Sequence, residues 1–195
     1  MDLSKPLAYR MRPKSLEEFV GQEHVVGKDK LLYRTIKADR LSSLILWGPP
    51  GCGKTSLAKV ISETTKYKFT KLNAVTSGVG DIKKAIEEAD NPLLNPSGKC
   101  ILFIDEIHRF NKLQQDALLP YVEDGTVILI GATTENPYFE VNKALISRSM
   151  VIKLEPLTKQ DIIKVLKNAL VSKEGLGSYN IKISLSDLDI SIKKY

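Results

Sequence analysis

The sequence predicts an α/β fold, a parallel sheet sandwiched by helices, and three observations carry that prediction. Short apolar runs alternate with helical patterns along the chain, the order expected when each strand returns through a crossover helix. Two of the runs, 101–104 and 127–130, are continuous rather than alternating, as strands buried on both faces should be. The first run ends in a glycine-rich turn that opens directly into a helical segment.

The elements follow in order. Strands are predicted over 44–47, 67–72, 100–104, 127–130 and 150–154, where β-branched and aromatic residues concentrate. Helices are predicted between them over 54–65, 79–90, 111–122 and 142–147. Asn91-Pro92 through Pro96-Ser97-Gly98 is a loop that closes one strand–helix unit. After Pro156 the pattern changes. Thr158 is an N-cap for a helix over roughly 159–172, with Ile162, Ile163, Leu166 and Leu170 on one face. That segment reads as the start of a second, helical domain.

Composition narrows the class. The 195 residues are 43% hydrophobic and 27% charged, which excludes collagen-like, disordered and disulfide-stapled chains. Cys52 and Cys100 are the two cysteines, so a disulfide framework is not expected and a reducing cytosol fits. No apolar run approaches the roughly 20 residues of a membrane span, and Met1–Pro6 lacks the apolar core of a signal peptide. A soluble, cytoplasmic protein with no membrane partner is expected. The net charge of +6 is uneven: residues 1–40 hold nine Lys/Arg against six Asp/Glu, 156–195 hold seven against four, and the middle balances. Basic flanks permit nucleic-acid contact without demanding it.

The most informative segment is Gly48-Pro49-Pro50-Gly51-Cys52-Gly53-Lys54-Thr55, followed by Ser56, between a predicted strand and a predicted helix. It satisfies the G-x-x-x-x-G-K-[ST] pattern in the context that pattern requires. Glycines let successive backbone N–H groups curl around an anion, and the helix N-terminus adds its positive end. Lys54 is expected to reach the β- and γ-phosphates of ATP, and the Thr55 hydroxyl to ligate Mg2+. Cys52 fills a variable position, as a small apolar filler rather than a redox group.

About fifty residues on, Ile101-Leu102-Phe103-Ile104-Asp105-Glu106 is an apolar strand that delivers two adjacent carboxylates at its carboxyl end. Asp105 would hold Mg2+ and Glu106 would act on the attacking water as general base. A strand-end Asp-Glu can also be a mere helix cap, but beside a phosphate loop it favours hydrolysis by water over transfer to a small molecule. His108 and Arg109 follow, open between contact with DNA or a neighbouring subunit and a solvated helix start. His24, His108, Cys52 and Cys100 have no metal-ligand spacing, so zinc is not expected.

With these residues in hand, the chain resembles AAA+ ATPases of the P-loop NTPase class, in the clamp-loader and Holliday-junction-motor branch. More narrowly it is similar to the replication-associated recombination protein A family (bacterial RarA or MgsA and the eukaryotic Werner-helicase-interacting ATPase). The resemblance is carried by Leu7-Ala8-Tyr9-Arg10-Met11-Arg12-Pro13-Lys14 with Val20-Gly21-Gln22, by 73–79, by 105–111, by Gly131-Ala132-Thr133-Thr134-Glu135-Asn136-Pro137 and by Ser147-Arg148-Ser149. It covers roughly 5–175.

The resemblance implies further roles. Residues 1–22 would be an arm packing on adenine, with Leu7, Arg12, Val20 and Gly21 beside the nucleotide; an ordinary helix-entry loop is the alternative. Residues 23–155 would be the nucleotide-binding core and 156–195 the start of a helical lid. Thr134 matches the sensor-1 position, with Thr133 structural beside it. Asn73 looks like the polar partner that restrains the catalytic glutamate, or else a turn cap. Arg148 resembles an arginine finger acting on a neighbouring subunit's nucleotide, or else makes a surface salt bridge. Nothing after Pro156 matches the family's sensor-2 arginine, so the apolar pattern Ile181, Ile183, Leu185, Leu188, Ile190 and Ile192 implies an incomplete lid.

Function as implied by the resemblance is Mg-dependent ATP hydrolysis, stimulated by DNA, in a homo-oligomer that maintains replication forks near the nucleoid. Partners would be forked or junction DNA and single-strand-binding protein or replisome components. Two alternatives stay open: a Holliday-junction motor or clamp-loader subunit, and a nucleotide-dependent recruiting scaffold with little turnover.

Overall fold

The computed structural model describes residues 4–179 and residue 181. Ile183, Leu185, Leu188, Ile190 and Ile192 of the expected lid lie outside the described residues. Three short helices, α1 (Leu7–Arg10), α2 (Glu23–Val26) and α3 (Leu31–Lys37), precede β1 (Ser43–Trp47). Then come α4 (Lys54–Thr65), β2 (Lys68–Asn73), α5 (Val79–Asp90) and β3 (Cys100–Asp105). A 3-10 turn over Ile107–Arg109 leads to α6 (Lys112–Asp116), α7 (Leu119–Glu123) and β4 (Ile128–Thr133). The chain continues through α8 (Pro137–Glu140), α9 (Lys143–Ser147), β5 (Ser149–Lys153) and α10 (Lys159–Val171).

The five strands form one parallel sheet in the order β2-β3-β4-β1-β5. The continuous apolar runs now have their reason. Leu44 and Leu46, Ile101 and Phe103, and Ile130 and Ala132 pack on one face with Leu57, Ala58, Val60 and Ile61 of α4. Ile45, Leu102, Ile104 and Leu129 pack on the other with Ile82, Ala85, Ile86 and Ala89 of α5. Successive side chains point to opposite faces, so a strand covered twice must be apolar at every position.

One expectation is corrected. The single helix over 111–122 is two helices, broken at Ala117–Leu118. Pro120 has no N–H to donate and its ring crowds the carbonyl of Asp116, four residues back. At the start of α6, Asn111 Oδ1 accepts from the Gln114 N–H while Gln114 Oε1 accepts from the Asn111 N–H, both at 2.9 Å. The same reciprocal cap starts α10, where Thr158 Oγ1 accepts from the Asp161 N–H and Asp161 Oδ2 accepts from the Thr158 N–H. Among the described residues no helix is long and apolar enough to cross a membrane.

Register positions the site. Asn73 lies beside Asp105, Trp47 beside Thr133, and Lys153 beside Trp47. The last residue of every strand therefore reaches one edge, the carboxyl edge where parallel sheets bind ligands.

Candidate active site

β1 leaves the sheet at Trp47 and the chain turns through Gly48–Gly53 into α4. The Gly48 N–H donates to the Thr133 carbonyl at 3.2 Å, pinning the loop to β4. Gly51 and Gly53 sit in the left-handed region, with φ of 77° and 102°, which favours glycine. A Cβ at Gly53 would lie 2.9 Å from Cζ of Phe19, so the ring of the arm seats directly on the loop backbone. Lys54 is buried, and its Nζ donates to the carbonyls of Gly48 at 2.7 Å and Pro49 at 2.9 Å. Cys52 is buried behind the loop with Sγ 3.8 Å from Lys54 Nζ. The Gln22 side-chain amide donates to the Cys52 carbonyl at 3.3 Å.

β3 delivers Asp105, whose Oδ2 pairs with Lys71 Nζ of β2 at 2.8 Å. Glu106 follows with φ of 56°, an uncommon conformation for a residue with a Cβ. Its Oε2 lies 3.4 Å from His108 Nδ1. His108 is neither a solvated helix start nor an outward-facing contact, since its side chain is 8% exposed and Nδ1 sits 2.8 Å from Thr133 Oγ1. Thr133 is fully buried and also accepts from the Glu135 N–H at 3.0 Å. Thr134 is the first residue past β4 and is half-buried.

Two expected site residues have other partners. Asn73 is exposed at the end of β2, and its Oδ1 accepts from the Val75 N–H at 2.9 Å, the geometry of a turn cap. Arg148 ends α9 at the surface, paired with Glu123 at 2.6 Å and donating to the Ala144 carbonyl and Ser147 Oγ.

The arm is fastened from a distance. Gln22 is buried with φ of 64°; its Nε2 donates to the Glu155 carbonyl at 2.7 Å and its Oε1 accepts from the Glu155 N–H at 2.9 Å. Arg10 donates to the carbonyls of Glu174 at 2.6 Å and Gly175 at 3.3 Å. Lys14 pairs with the Glu174 carboxylate, a bond that raises the lysine above its ordinary value. Arg12 lies over the Tyr9 ring, 4.9 Å from its centroid. A Cβ at Gly21 would lie 2.9 Å from Leu157 Cδ2, so the arm approaches the start of the last segment closely there.

Between the arm, the loop and α10 lies a cavity of about 700 Å3, lined by Arg12, Val20, Gly51, Gly53, Ser56 and Val165 among others. That volume falls within the range of small-molecule sites. Leu7, Gly21, Lys54 and Thr55 are not among its lining residues. Sequence reasoning missed Phe19, Lys71 and the Thr133–His108 pair, and gave Gln22 no role. Each depends on a neighbour from another strand or segment, so no local pattern marked it.

A family model described as "ATPase family associated with various cellular activities (AAA)" matches residues 44–156. The chain is 52% identical over 179 residues to the Replication-associated recombination protein A of Coxiella burnetii, covering 91% of this chain and 40% of that protein. The Escherichia coli K12 protein of the same name is 51% identical over 178 residues, again 91% of this chain and 40% of that protein. ATPase WRNIP1 of Dictyostelium discoideum is 52% identical over 165 residues, 85% of this chain and 19% of that protein. Among solved structures, the RuvB Holliday junction branch migration motor of Thermotoga maritima matches with a TM-score of 0.69 and 32% identity, over 83% of this chain and 54% of that one. The chain thus spans about two-fifths of the length of its bacterial relatives.

Proposed function

The chain belongs to the AAA family of ATPases, and on that premise we propose that it is the Mg-dependent ATP-hydrolysing part of a protein that maintains DNA replication forks. One observation carries the reading. A glycine-built loop runs into the N-terminus of α4 at the same sheet edge as Asp105 and Glu106, beside a cavity of small-molecule size.

The residues fit ATP and Mg2+. Loop N–H groups and the end of α4 suit phosphate oxygens, and the Arg12–Val20 side of the cavity suits the base and ribose. Thr55 and Asp105 are hard oxygen donors of the kind Mg2+ takes, and the cation would displace Lys71 from Asp105. Bound Mg2+ supplies charge neutralisation on the phosphates. Lys54 exchanges two backbone carbonyls for phosphate oxygens, Glu106 takes the proton of the attacking water, and Thr134 orients that water or the γ-phosphate. Arg148, on the surface with an exposed carboxylate as its ion-pair partner and two further bonds within its own helix end, would exchange Glu123 for a neighbouring subunit's nucleotide.

Residues 1–22 act as the base-contacting arm, 23–155 as the core and 156–195 as the start of a lid. The names of the relatives and the basic flanks support DNA as the effector, in a cytoplasmic, nucleoid-associated homo-oligomer that meets single-strand-binding protein or replisome components. The likeness to RuvB favours a second reading, a junction-migrating motor, which ATP-driven directional movement of a four-way junction would support.

The test is Mg-ATP binding and turnover with and without forked DNA. Glu106→Gln keeps binding and loses at least about 100-fold in turnover; turnover at the parental rate removes Glu106 as the base. Arg148→Ala hydrolyses poorly alone and recovers when mixed with Glu106→Gln subunits; no recovery removes its action between subunits.

A further inference from the structure

Glu106 carries the proposed reaction, and its backbone is held at φ of 56°, a left-handed conformation that a non-glycine residue enters only at a cost. A carboxylate projected from such a turn, 34% exposed, has many rotamers unless something holds it. What stands next to it is the ring of His108, with Nδ1 3.4 Å from Oε2.

That ring is itself tightly placed. It is nearly buried, and the same Nδ1 lies 2.8 Å from the hydroxyl of Thr133, the last residue of β4. Thr133 is fully buried, sits in register with Trp47, and receives the Glu135 N–H on its oxygen. A hydroxyl has two acceptor sites and one donor, so Thr133 can accept from both the Glu135 N–H and a protonated Nδ1. With the hydroxyl proton directed at the Glu135 carbonyl, 3.5 Å away, an Nδ1–H donates to Thr133 and leaves the Glu106 carboxylate in electrostatic contact with the same N–H at 3.4 Å. Asn73, by contrast, spends its Oδ1 on the Val75 N–H.

We propose that His108, seated on Thr133, is the positioning residue for Glu106. Its Nδ1–H selects the carboxylate rotamer at the exit of β3 and ties it to the end of β4, where the next residue is Thr134. The orientation of the base and the position of the γ-phosphate contact therefore share one anchored strand end. The inference rests on the reading of Glu106 as the base.

The test has two arms, both on the full chain. His24 and His108 are the two histidines, so ring-nitrogen NMR of 15N-histidine-labelled protein reads His108 with His24 as reference. Thr133→Val and Glu106→Gln each move the His108 ring-nitrogen resonances and leave those of His24 in place; unmoved His108 resonances in both variants overturn the proposal. This arm needs no turnover.

The second arm is kinetic. His108→Ala lowers kcat by about 10- to 100-fold, the cost of misplacing a reacting group, with KM for ATP within about two-fold of the parent. His108→Asn, whose amide stands where Nδ1 stands, restores most of the loss, and His108→Gln, whose amide reaches toward Nε2, does not. Thr133→Ser retains the rate that Thr133→Val loses. Full activity in His108→Ala, or equal rescue by Asn and Gln, overturns the positioning role alone. Full activity in Glu106→Gln overturns the base reading and the proposal with it.

Discussion

One wall of the site, Gly48 to Thr55, is held by its own backbone and by the strands on either side of it, whereas the facing wall, the arm from Leu7 to Gln22, is held by side chains that reach far along the sequence. Gln22 bonds Glu155 across 133 residues and Arg10 bonds Glu174 across 164. The phosphate wall is shaped by glycine conformations and a helix N-terminus, which are properties of consecutive residues. The base wall exists only once the last segment has folded back onto the first. The first wall can be read from eight residues in a row; the second is a tertiary clasp. In the proposed reading, chemistry common to all nucleotides falls on the first, and what distinguishes one base or one lid position from another falls on the second.

The largest expected effect separates the walls by function. Lys54→Ala removes the charge proposed to bond the phosphates and should weaken ATP binding roughly 1000-fold, about 4 kcal/mol. Its thermal unfolding midpoint should fall only slightly, because the glycine conformations and the Gly48–Thr133 bond remain when the two Lys54 bonds to the loop carbonyls are lost. Titration of a fluorescent ATP analogue beside a melting curve checks both. A large drop in the melting midpoint would show that the loop leans on Lys54, and the contrast between the walls would weaken.

Phe19→Ala comes next and tests whether the walls support each other. The ring is buried and seated on Gly53. Its loss should cost about 3 kcal/mol of stability by cavity formation, measured by urea unfolding, and should also lower nucleotide affinity because the loop loses its backing. A stability loss with unchanged affinity would make the phosphate wall independent of the arm.

Gln22→Ala should cost about 2 kcal/mol, since it leaves the Glu155 N–H and the Cys52 and Glu155 carbonyls with a lost partner. Inorganic triphosphate binding should barely change, while the preference for ATP over other nucleoside triphosphates should shrink as the arm loosens. Equal losses for triphosphate and ATP would mean that Gln22 acts on the loop through Cys52 rather than on the base wall.

The same division explains what was legible in the sequence. Five strands, α4, α5 and α10 follow from local signals: short β-rich apolar runs, continuous in the buried β3 and β4, the i, i+3, i+4 spacing of Ile82, Ala85 and Ile86, and the Thr158 cap. The break before Pro120 was written in the chain too, in a residue that cannot continue a helix. α3 escaped because its buried face is only Leu32 and Ile36, too short a pattern to register as periodic. The loop and the two carboxylates read as a motif. Gln22, Phe19 and the Thr133–His108 contact did not, because each acts on a partner that only the sheet order or the returning chain brings near.

The smallest effect supplies the control. Asp39, in the left-handed turn between α3 and β1, accepts from Lys99 at 2.8 Å and from the Tyr67 hydroxyl, at the amino ends of β2 and β3 and so at the opposite edge of the sheet from both walls. The Lys99 bond first, and the Tyr67 bond second, hold its carboxyl below the usual value, and the same cluster pushes Lys99 up to about 12. A lowered carboxyl stabilises the fold above its unfolded value, near 4, and the contribution fades as pH falls through the lower folded value. The raised lysine contributes in full below its ordinary value and loses that contribution as pH rises through about 12. Asp39→Asn should therefore be slightly less stable than the parent at neutral pH, with the difference vanishing in acid, as urea unfolding at several pH values would record. Asparagine tolerates the left-handed backbone, so the charge alone is removed. ATP affinity should be untouched. If Asp39→Asn also weakens ATP binding, then a general loss of stability is enough to loosen the site, and the effects of Phe19→Ala and Gln22→Ala no longer distinguish a clasp from a packed core.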